Sequence, residues 1–264
     1  MMELNKIYCG DNVTIMKQMP DDCIDLTVTS PPYDNLRTYG GHEWDFEAVA
    51  KELFRVTKKG GVLVWVVGDS VVNGSETGNS FRQALFFKDI GFKLHDTMIY
   101  WKNSFAFPEQ NRYAQNFEYM FVFCKEKIKT AHIFKLPTNI ENRIKTKNSN
   151  YRTVTGETLP MKYETGKDER NKENIWIYEC GFSKTTNDTY AFKHPAMFPE
   201  AMVSDHIISW SNEGDTVLDP FSGSGTTCKM AKLLGRHYIG IEINPEYIEI
   251  SNKRLAQGVL DFAS

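Results

Sequence analysis

The feature that most constrains this sequence is an alternation of two kinds of apolar pattern. Residues 46–56 carry apolar side chains three and four positions apart, which is typical of an amphipathic helix. The Gly60-Gly61 pair ends that pattern, and a β-branched run over 62–67 follows as a central strand. Repeated strand–helix alternation predicts an α/β fold: a mostly parallel, twisted sheet with helices on both faces.

The same reading assigns the other elements. Strands are predicted over 23–29, 97–101, 119–124, 175–178, 216–219 and 237–242. Helices are predicted over 81–90, 199–210 and 226–234 and from Pro245 onward, because proline is favoured at a helix start. In the second helix, Phe81, Leu85, Phe86 and Ile90 are the predicted apolar face.

Composition excludes several classes of protein. The 264 residues are 41% hydrophobic and 25% charged, as in a globular protein, and the longest apolar run, 61–68, falls short of a membrane span. The beginning of the sequence lacks a signal region, so we expect a cytoplasmic protein. Five scattered cysteines without a CxxC pair argue against a disulfide framework and a structural zinc site, and no metal is predicted.

Charge is distributed unevenly. Residues 125–152 hold eight Lys or Arg against two Glu, a local charge of +6 in a chain of net charge −3. Helical and strand periodicity fades from 125 to about 174, and this stretch is too long for an ordinary loop. We therefore expect a domain formed by 1–124 and 191–264, interrupted by an inserted region at 125–190. The basic stretch is either a solvated loop or the docking surface for a polyanion.

A glycine-rich turn follows the strand predicted at 216–219. It reads Asp219-Pro-Phe-Ser-Gly-Ser-Gly-Thr-Thr227 and leads into a helix, so small residues lie where a ligand would approach the backbone. Glu242 ends the next strand, nineteen residues beyond Gly223, where a carboxylate can accept both hydroxyls of a ribose. Cys228 replaces the third glycine of a dinucleotide fingerprint, and a plain tight turn is the alternative.

A second motif, Thr29-Ser-Pro-Pro-Tyr33, ends the strand predicted at 23–29. Its prolines make the turn rigid and leave carbonyl groups without a partner in register. The Ser30 hydroxyl and the Pro31 carbonyl would then form an acceptor-rich pocket beside the Tyr33 ring, which suits the exocyclic amine of a planar base. The alternative is that the two prolines only terminate a strand.

Together these motifs resemble those of the amino-methylating DNA methyltransferases that use S-adenosylmethionine. The first motif resembles their catalytic motif and the glycine turn their cofactor motif. Their order resembles the permuted β-type arrangement of a class I methyltransferase-like fold. The resemblance implies catalytic roles for Ser30, Pro31, Pro32 and Tyr33. It implies cofactor contacts for Asp11, Phe198, Asp219, Phe221, Gly223, Ser224, Gly225, Thr226 and Glu242. Phe198 lies in His194-Pro-Ala-Met-Phe-Pro199, which resembles the segment beside the methionine end of the cofactor.

The resemblance also implies partners. The family acts on double-stranded DNA, and the basic insert lies where it keeps a target-recognition region. The candidate DNA contacts are Lys135, Arg143, Lys145, Lys147 and Arg152. A cognate restriction endonuclease, an orphan enzyme without one, and a homodimer all stay open.

The expected reaction is methyl transfer to a base that is flipped out of the duplex. Ser-Pro-Pro-Tyr is associated in the family with cytosine N4, and a hydroxyl can donate to cytosine N3 as well as accept from N4. Adenine N6 is the alternative. The sequence lacks a Pro-Cys motif, which argues against methylation at carbon. RNA or protein glutamine as substrate, an inactive DNA-binding regulator and a nicotinamide dehydrogenase are further alternatives.

Overall fold

The computed structural model describes residues 2–32, 44–103, 111–138, 150–160, 168–181, 184–186, 188, 191 and 197–256. The chain forms two compact units. The larger unit contains Met1–His132 and Asn174–Ser264, and the smaller contains Ile133–Glu173. The smaller unit therefore lies within the predicted insert, while 125–132 and 174–190 belong to the larger unit.

The helices and strands follow one another in this order along the chain. The first part contains β1 (Lys6–Cys9), α1 (Asn12–Met16), β2 (Ile24–Thr29), α2 (Phe46–Val56), β3 (Thr57–Val67), β4 (Val71–Val72), β5 (Ser75–Glu76), α3 (Asn79–Asp89), β6 (Phe92–Lys102) and β7 (Phe117–Lys125). The smaller unit contains β8 (Lys135–Pro137), β9 (Asn150–Arg152), β10 (Thr158–Pro160) and β11 (Glu169–Asn171). The last part contains β12 (Ile175–Tyr178), α4 (Glu200–Trp210), β13 (Thr216–Asp219), α5 (Thr226–Leu233), β14 (His237–Glu242) and α6 (Pro245–Ala256).

Eight strands of the larger unit form one sheet in the order β1-β14-β13-β2-β3-β7-β6-β12. The five strands from β1 to β3 run parallel, and β7 is antiparallel to both of its neighbours. β12 pairs in parallel with β6, which explains why a strand of the predicted insert belongs to the larger unit. The predicted α/β fold with a mostly parallel sheet is confirmed.

Helices cover both faces of this sheet. On β3, Trp65 packs its ring 5.0 Å from Phe87 of α3, and both side chains are buried. The next residue, Val66, lies beside Met120, whose sulfur is 3.2 Å from the His206 ring of α4. Since neighbouring residues of a strand point to opposite faces, α3 and α4 lie on opposite sides of the sheet.

The predicted apolar face of the second helix is wrong in part. Phe81 and Leu85 are 51% and 58% exposed, whereas Ala84 and Phe87 face the core. The helix carries apolar residues on more than one side, so the spacing did not decide which side packs against the sheet. The Phe81 ring instead lies over Tyr119 of β7, with 5.4 Å between centroids.

The smaller unit consists of two antiparallel strand pairs, β8 with β11 and β9 with β10. Each strand is only three residues long. None of its described residues is buried. Backbone hydrogen bonds and short-range contacts, such as the Lys172 ammonium over the Phe134 ring at 5.5 Å, hold these pairs together.

None of the helices in the described part of the chain offers the length of apolar sequence that crossing a bilayer requires.

Candidate active site

The candidate residues converge because five neighbouring strands run parallel. The carboxyl ends of β1, β14, β13, β2 and β3 meet at one edge of the sheet. This edge is where open α/β sheets bind ligands. Asp11 follows β1, Glu242 ends β14, and the glycine loop (residues 220–225) follows β13. The Pro-Pro turn (residues 30–32) follows β2 and is therefore next to the glycine loop.

A hydrogen bond joins the two predicted motifs directly. The Thr29 hydroxyl donates to Asp219 Oδ1 over 2.7 Å, from the last residue of β2 to the last residue of β13. The same oxygen accepts the Phe221 N–H at 3.1 Å. Asp219 is buried, and burial raises its pKa to about 6 although these hydrogen bonds favour the charged form. The carboxylate thus links the glycine loop to the strand that carries the Pro-Pro turn.

Glu242 is held in place by the glycine loop and by the start of α6. Its carboxylate accepts the Gly223 N–H and the Asn244 N–H, each over 2.8 Å. The side chain remains partly exposed. A fixed, half-buried carboxylate beside the glycine loop is suited to bind vicinal hydroxyls.

The glycine at the start of α5 is required by both backbone and space. Gly225 caps the helix with φ +78°, a left-handed conformation. A Cβ there would lie 2.8 Å from Ser251 Cβ. Ser251, which is buried on α6, also donates its hydroxyl to the Gly223 carbonyl over 2.8 Å. Helix α6 therefore packs against the back of the glycine loop.

Cys228 stands where a dinucleotide fingerprint has its third glycine, and the structure shows how the helix still packs closely against the neighbouring strand. A Cβ on Gly240 of β14 would lie 2.8 Å from Cys228 Sγ. The glycine that permits close approach of helix and strand is therefore on the strand. Burial raises the pKa of the Cys228 thiol, so this cysteine stays protonated and unsuited to nucleophilic attack.

Two contacts fix the first residues of the glycine loop. Asn12 of α1, nearly buried, donates its side-chain amide to the Pro220 carbonyl over 3.2 Å. The Phe221 ring packs edge-on against Trp44 at 5.0 Å and lies 6.3 Å from Trp65. Phe221 thus belongs to an aromatic cluster on the core side of the loop. Sequence reasoning missed Asn12, although it adjoins the predicted Asp11.

The remaining predicted site residues divide into those that the structure describes and those outside it. Ser30 and Pro32 are half-buried and Pro31 is buried. Tyr33 lies outside the described residues, as do His194, Pro195 and Ala196 of the segment ending in Phe198. Phe198 itself is half-buried.

Asp11 has a structural task in this arrangement. It caps α1 by accepting the N–H and the hydroxyl of Thr14, at 2.8 and 2.7 Å. The preceding Gly10 N–H donates to the Glu242 carbonyl over 2.9 Å, which places the exposed Asp11 near the end of β14.

A buried ion network behind the glycine loop was not anticipated from the sequence. Arg254 of α6 contacts both Asp188 and Glu200, and Lys229 of α5 contacts the same two carboxylates. Burial raises the pKa of Asp188, but hydrogen bonds from Lys229 and Arg254 outweigh it and lower the pKa below its usual value. The available signal was that Arg254 lies three residues after Ser251, on the buried face of the helix.

The predicted DNA contacts fall in the smaller unit. Lys135 and Arg152 are exposed on β8 and β9, where Lys135 contacts the Asn171 side chain and Arg152 donates to the Gly156 carbonyl over 3.1 Å. Arg143, Lys145 and Lys147 lie outside the described residues.

Two solved structures with this fold have titles that describe a DNA methyltransferase or methylase. The chain is similar to the PvuII DNA methyltransferase, described as cytosine-N4-specific, with a TM-score of 0.70 and 19% identity over 97% of this chain and 87% of that one. It is also similar to TTHA0409 of Thermus thermophilus, a putative DNA modification methylase solved in complex with S-adenosyl-L-methionine. That match has a TM-score of 0.63 and 25% identity over 97% and 96% of the two chains.

A family model described as DNA methylase matches residues 24–253. Among curated relatives, the orphan methyltransferase M.BamHII of Bacillus amyloliquefaciens is 55% identical over 93% of this chain and 94% of its own length. The Type II methyltransferase M.HpaI of Haemophilus parainfluenzae is 28% identical over 95% and 74%. The chain therefore belongs to the DNA methylase family, and the predicted resemblance to amino-methylating DNA methyltransferases is confirmed.

Proposed function

We propose that this methyltransferase transfers a methyl group from S-adenosylmethionine to the exocyclic N4 of a flipped-out cytosine in DNA. The observation that carries the proposal is the 2.7 Å hydrogen bond between Thr29 and Asp219. It fixes the strand end that carries the Pro-Pro turn beside the strand end that carries the glycine loop. A transfer reaction needs such proximity, because alignment of the reacting atoms supplies much of the rate.

The residues at the sheet edge fit S-adenosylmethionine. A side chain on Gly225 would meet Ser251, so the glycine lets α6 pack closely behind the loop at the start of α5. Glu242 would bind the ribose hydroxyls, and Asp11 lies near the end of the same strand for the adenine. Phe198, Phe221, Ser224 and Thr226 complete the proposed cofactor contacts. When bound, the cofactor supplies a methyl group already activated by its sulfonium.

The Pro-Pro turn would act on the amine of the target base. The lone pair of an exocyclic amine is delocalised into the ring, which makes the nitrogen a poor nucleophile. Acceptors at Ser30 and Pro31 would bind its N–H groups and stabilise the positive charge that develops during attack. Tyr33 would stack on the flipped base and recover part of the cost of unstacking, a few kcal/mol.

Cytosine is favoured because of the Ser30 hydroxyl. A hydroxyl can donate to cytosine N3 and accept from N4, whereas a carboxylate at this position could only accept. Adenine N6 stays the alternative, since the amine geometry of the two bases is similar. We further infer that the basic segment within 125–190 contacts DNA phosphates through Lys135, Arg143, Lys145, Lys147 and Arg152.

We further propose that this enzyme acts in the cytoplasm of a bacterium, because its substrate would be DNA and the relatives named above come from bacteria. The relative at 55% identity is named an orphan methyltransferase, which favours the alternative without a cognate endonuclease. A homodimer stays a prediction, and light scattering on the purified chain tests it.

The decisive experiment identifies the modified nucleoside. The protein is incubated with methyl-labelled S-adenosylmethionine and DNA of mixed sequence, and digested nucleosides are analysed by mass spectrometry. We expect labelled N4-methylcytosine, and Ser30→Ala should lower its yield at least about tenfold at saturating cofactor, the lower range for loss of a stabilising contact. Labelled N6-methyladenine would establish the alternative base. An unlabelled digest, with DNA still bound, would favour the inactive DNA-binding protein.

A further inference from the structure

Arg254 is 1% exposed, and its guanidinium bonds the glycine loop at two acceptors and the first residue of α5 at a third. One terminal nitrogen, Nη1, donates to the Ser224 carbonyl at 2.7 Å, the Ser224 hydroxyl at 3.1 Å and the Thr226 hydroxyl at 2.9 Å. Because the side chain is enclosed by protein, it does not meet a ligand that enters from solvent. Any effect on a ligand must pass through the loop.

The other edge of the guanidinium faces two carboxylates. Its Nε donates to Asp188 Oδ2 over 2.9 Å, and Nη2 donates to Glu200 Oε1 over 2.6 Å. Lys229 donates to the same two oxygens, each over 2.8 Å. Two cations and two anions leave the cluster without net charge, which offsets the large cost of burying ions.

The two carboxylates bracket the second segment assigned to the cofactor site. Asp188 precedes residues 189–199, and Glu200 follows them as the first residue of α4. The Glu200 N–H also donates to the Thr185 carbonyl over 3.1 Å, and the Thr186 hydroxyl donates to Glu200 Oε1 over 2.7 Å. Both ends of the segment that contains Phe198 are thus tied to the network.

We propose that Arg254 is a positioning residue that holds the glycine loop, Asp188 and Glu200 in the arrangement that binds S-adenosylmethionine. The inference rests on the proposed function, because it assumes that the glycine loop and the segment between these two carboxylates contact the cofactor. Ser251 supports the same arrangement from the same helix through its bond to the Gly223 carbonyl. A purely structural role would instead stabilise the fold without setting cofactor affinity.

The test separates cofactor binding from stability. Arg254→Met removes the donors and leaves the carboxylates with only one cation, so this variant should also lose stability. The double variant Arg254→Met with Asp188→Asn restores charge balance, since Lys229 and Glu200 remain paired. Lys253→Met, an exposed position on the same helix, is the matched control. Each protein is measured by calorimetric titration with S-adenosylmethionine, by thermal unfolding and by steady-state kinetics on DNA.

We expect the dissociation constant for S-adenosylmethionine to rise about 30-fold in Arg254→Met and to stay at least tenfold raised in the double variant. The unfolding midpoint of the double variant should recover toward that of wild type. In both variants KM for the cofactor should rise while kcat stays within about threefold. Arg254→Lys should restore part of the affinity, and Lys253→Met should match wild type.

The inference is overturned if the charge-balanced variant binds S-adenosylmethionine within twofold of wild type, or if kcat falls while KM stays constant. Failure of the assumed cofactor binding has a different signature, because the wild-type protein itself would then not bind S-adenosylmethionine, whichever base it methylates.

Discussion

The larger and the smaller unit differ in what fixes their structure. The larger unit is built on an eight-stranded sheet that has buried side chains on both faces, and the charged side chains of Arg254 and Asp188 are buried as well. In the smaller unit no described residue is buried, and its regular structure consists of antiparallel pairs of three-residue strands held by backbone hydrogen bonds. Substitutions should therefore have large effects at the sheet edge of the larger unit and small effects on the stability of the smaller one.

This difference matches the two tasks proposed for the enzyme. Methyl transfer requires atoms held within fractions of an ångström, which only a packed core provides. Contact with DNA phosphates depends on charge and exposure and requires little burial. The comparison predicts that cofactor binding and DNA binding can be changed separately.

The largest effect is expected from an aspartate in place of Gly225. The Cβ would lie 2.8 Å from Ser251 Cβ, so the glycine loop and α6 would have to move apart, and the added carboxylate carries the same charge as the carboxylate of the cofactor. Gly225→Asp should weaken S-adenosylmethionine binding more than about 1000-fold, since steric and charge penalties of this kind together exceed about 4 kcal/mol. Titration calorimetry measures this value.

Two other glycines with positive φ provide controls for that substitution. Gly78 caps α3 with φ +66°, and Gly156 lies in the smaller unit with φ +87°; a Cβ on either meets no described atom within 4 Å. Asp tolerates this backbone region better than most residues. Gly78→Asp and Gly156→Asp should leave cofactor affinity within about twofold, as expected for surface changes. Equal losses in all three variants would show that backbone strain, rather than the space beside Ser251, is responsible.

The next effect concerns the buried carboxyl of Asp219, whose pKa in the folded protein is about 6. As the pH rises through the ordinary pKa of an aspartate, the unfolded chain ionises first, so the folded state loses stability until it ionises near pH 6. Asp219→Asn lacks this ionisation. Relative to wild type, the variant should gain up to about 3 kcal/mol in unfolding free energy between pH 4 and pH 7. Urea unfolding across this range gives the difference, and a pH-independent difference would contradict the shifted pKa.

The smallest effect is expected from the basic residues of the insert. Replacing Lys135, Arg143, Lys145, Lys147 and Arg152 by Ala should weaken DNA binding about 30-fold at low salt and reduce its salt dependence, because released counterions drive such binding. Cofactor affinity should not change. Five exposed lysines of the larger unit serve as the charge-matched control: Lys17, Lys51, Lys59, Lys88 and Lys253. If both sets weaken binding equally, the smaller unit has no special role in contacting DNA.

Much of the larger unit could be predicted because its strands are buried on both faces and bounded by glycine or proline. The run at 62–67, followed by Gly68, and the strand ending at Asp219, followed by Pro220, are examples. The predicted start of the first was wrong, because α2 ends at Val56 and β3 already includes Gly60 and Gly61. β1 and the short α1 were missed: β1 has one buried residue in four, and α1 has five residues. An exposed edge strand of this kind has no strong periodicity for a sequence argument to use.

The site was predictable as motifs but not as contacts. Ser30, Gly225 and Glu242 could be named as candidates because short motifs place them at or just after strand ends or at a helix start. The hydrogen bond between the Asp219 carboxylate and Thr29 could not be predicted, since the two residues are 190 positions apart. Arg254 was missed for a similar reason: an arginine in an amphipathic helix is usually solvated, and its partners come from three separate parts of the sequence, at 188, 200 and 224–226.

The position of β1 has a consequence for how the protein is made on the ribosome. Among the strands in the described part of the chain, β1 pairs with β14 alone, and β14 is synthesised more than two hundred residues later. β1 can therefore complete its pairing only after most of the chain has been synthesised, and Asp11 and Glu242, at the ends of this strand pair, come together among the last events of folding. Newly made chains would acquire their affinity for the cofactor correspondingly late.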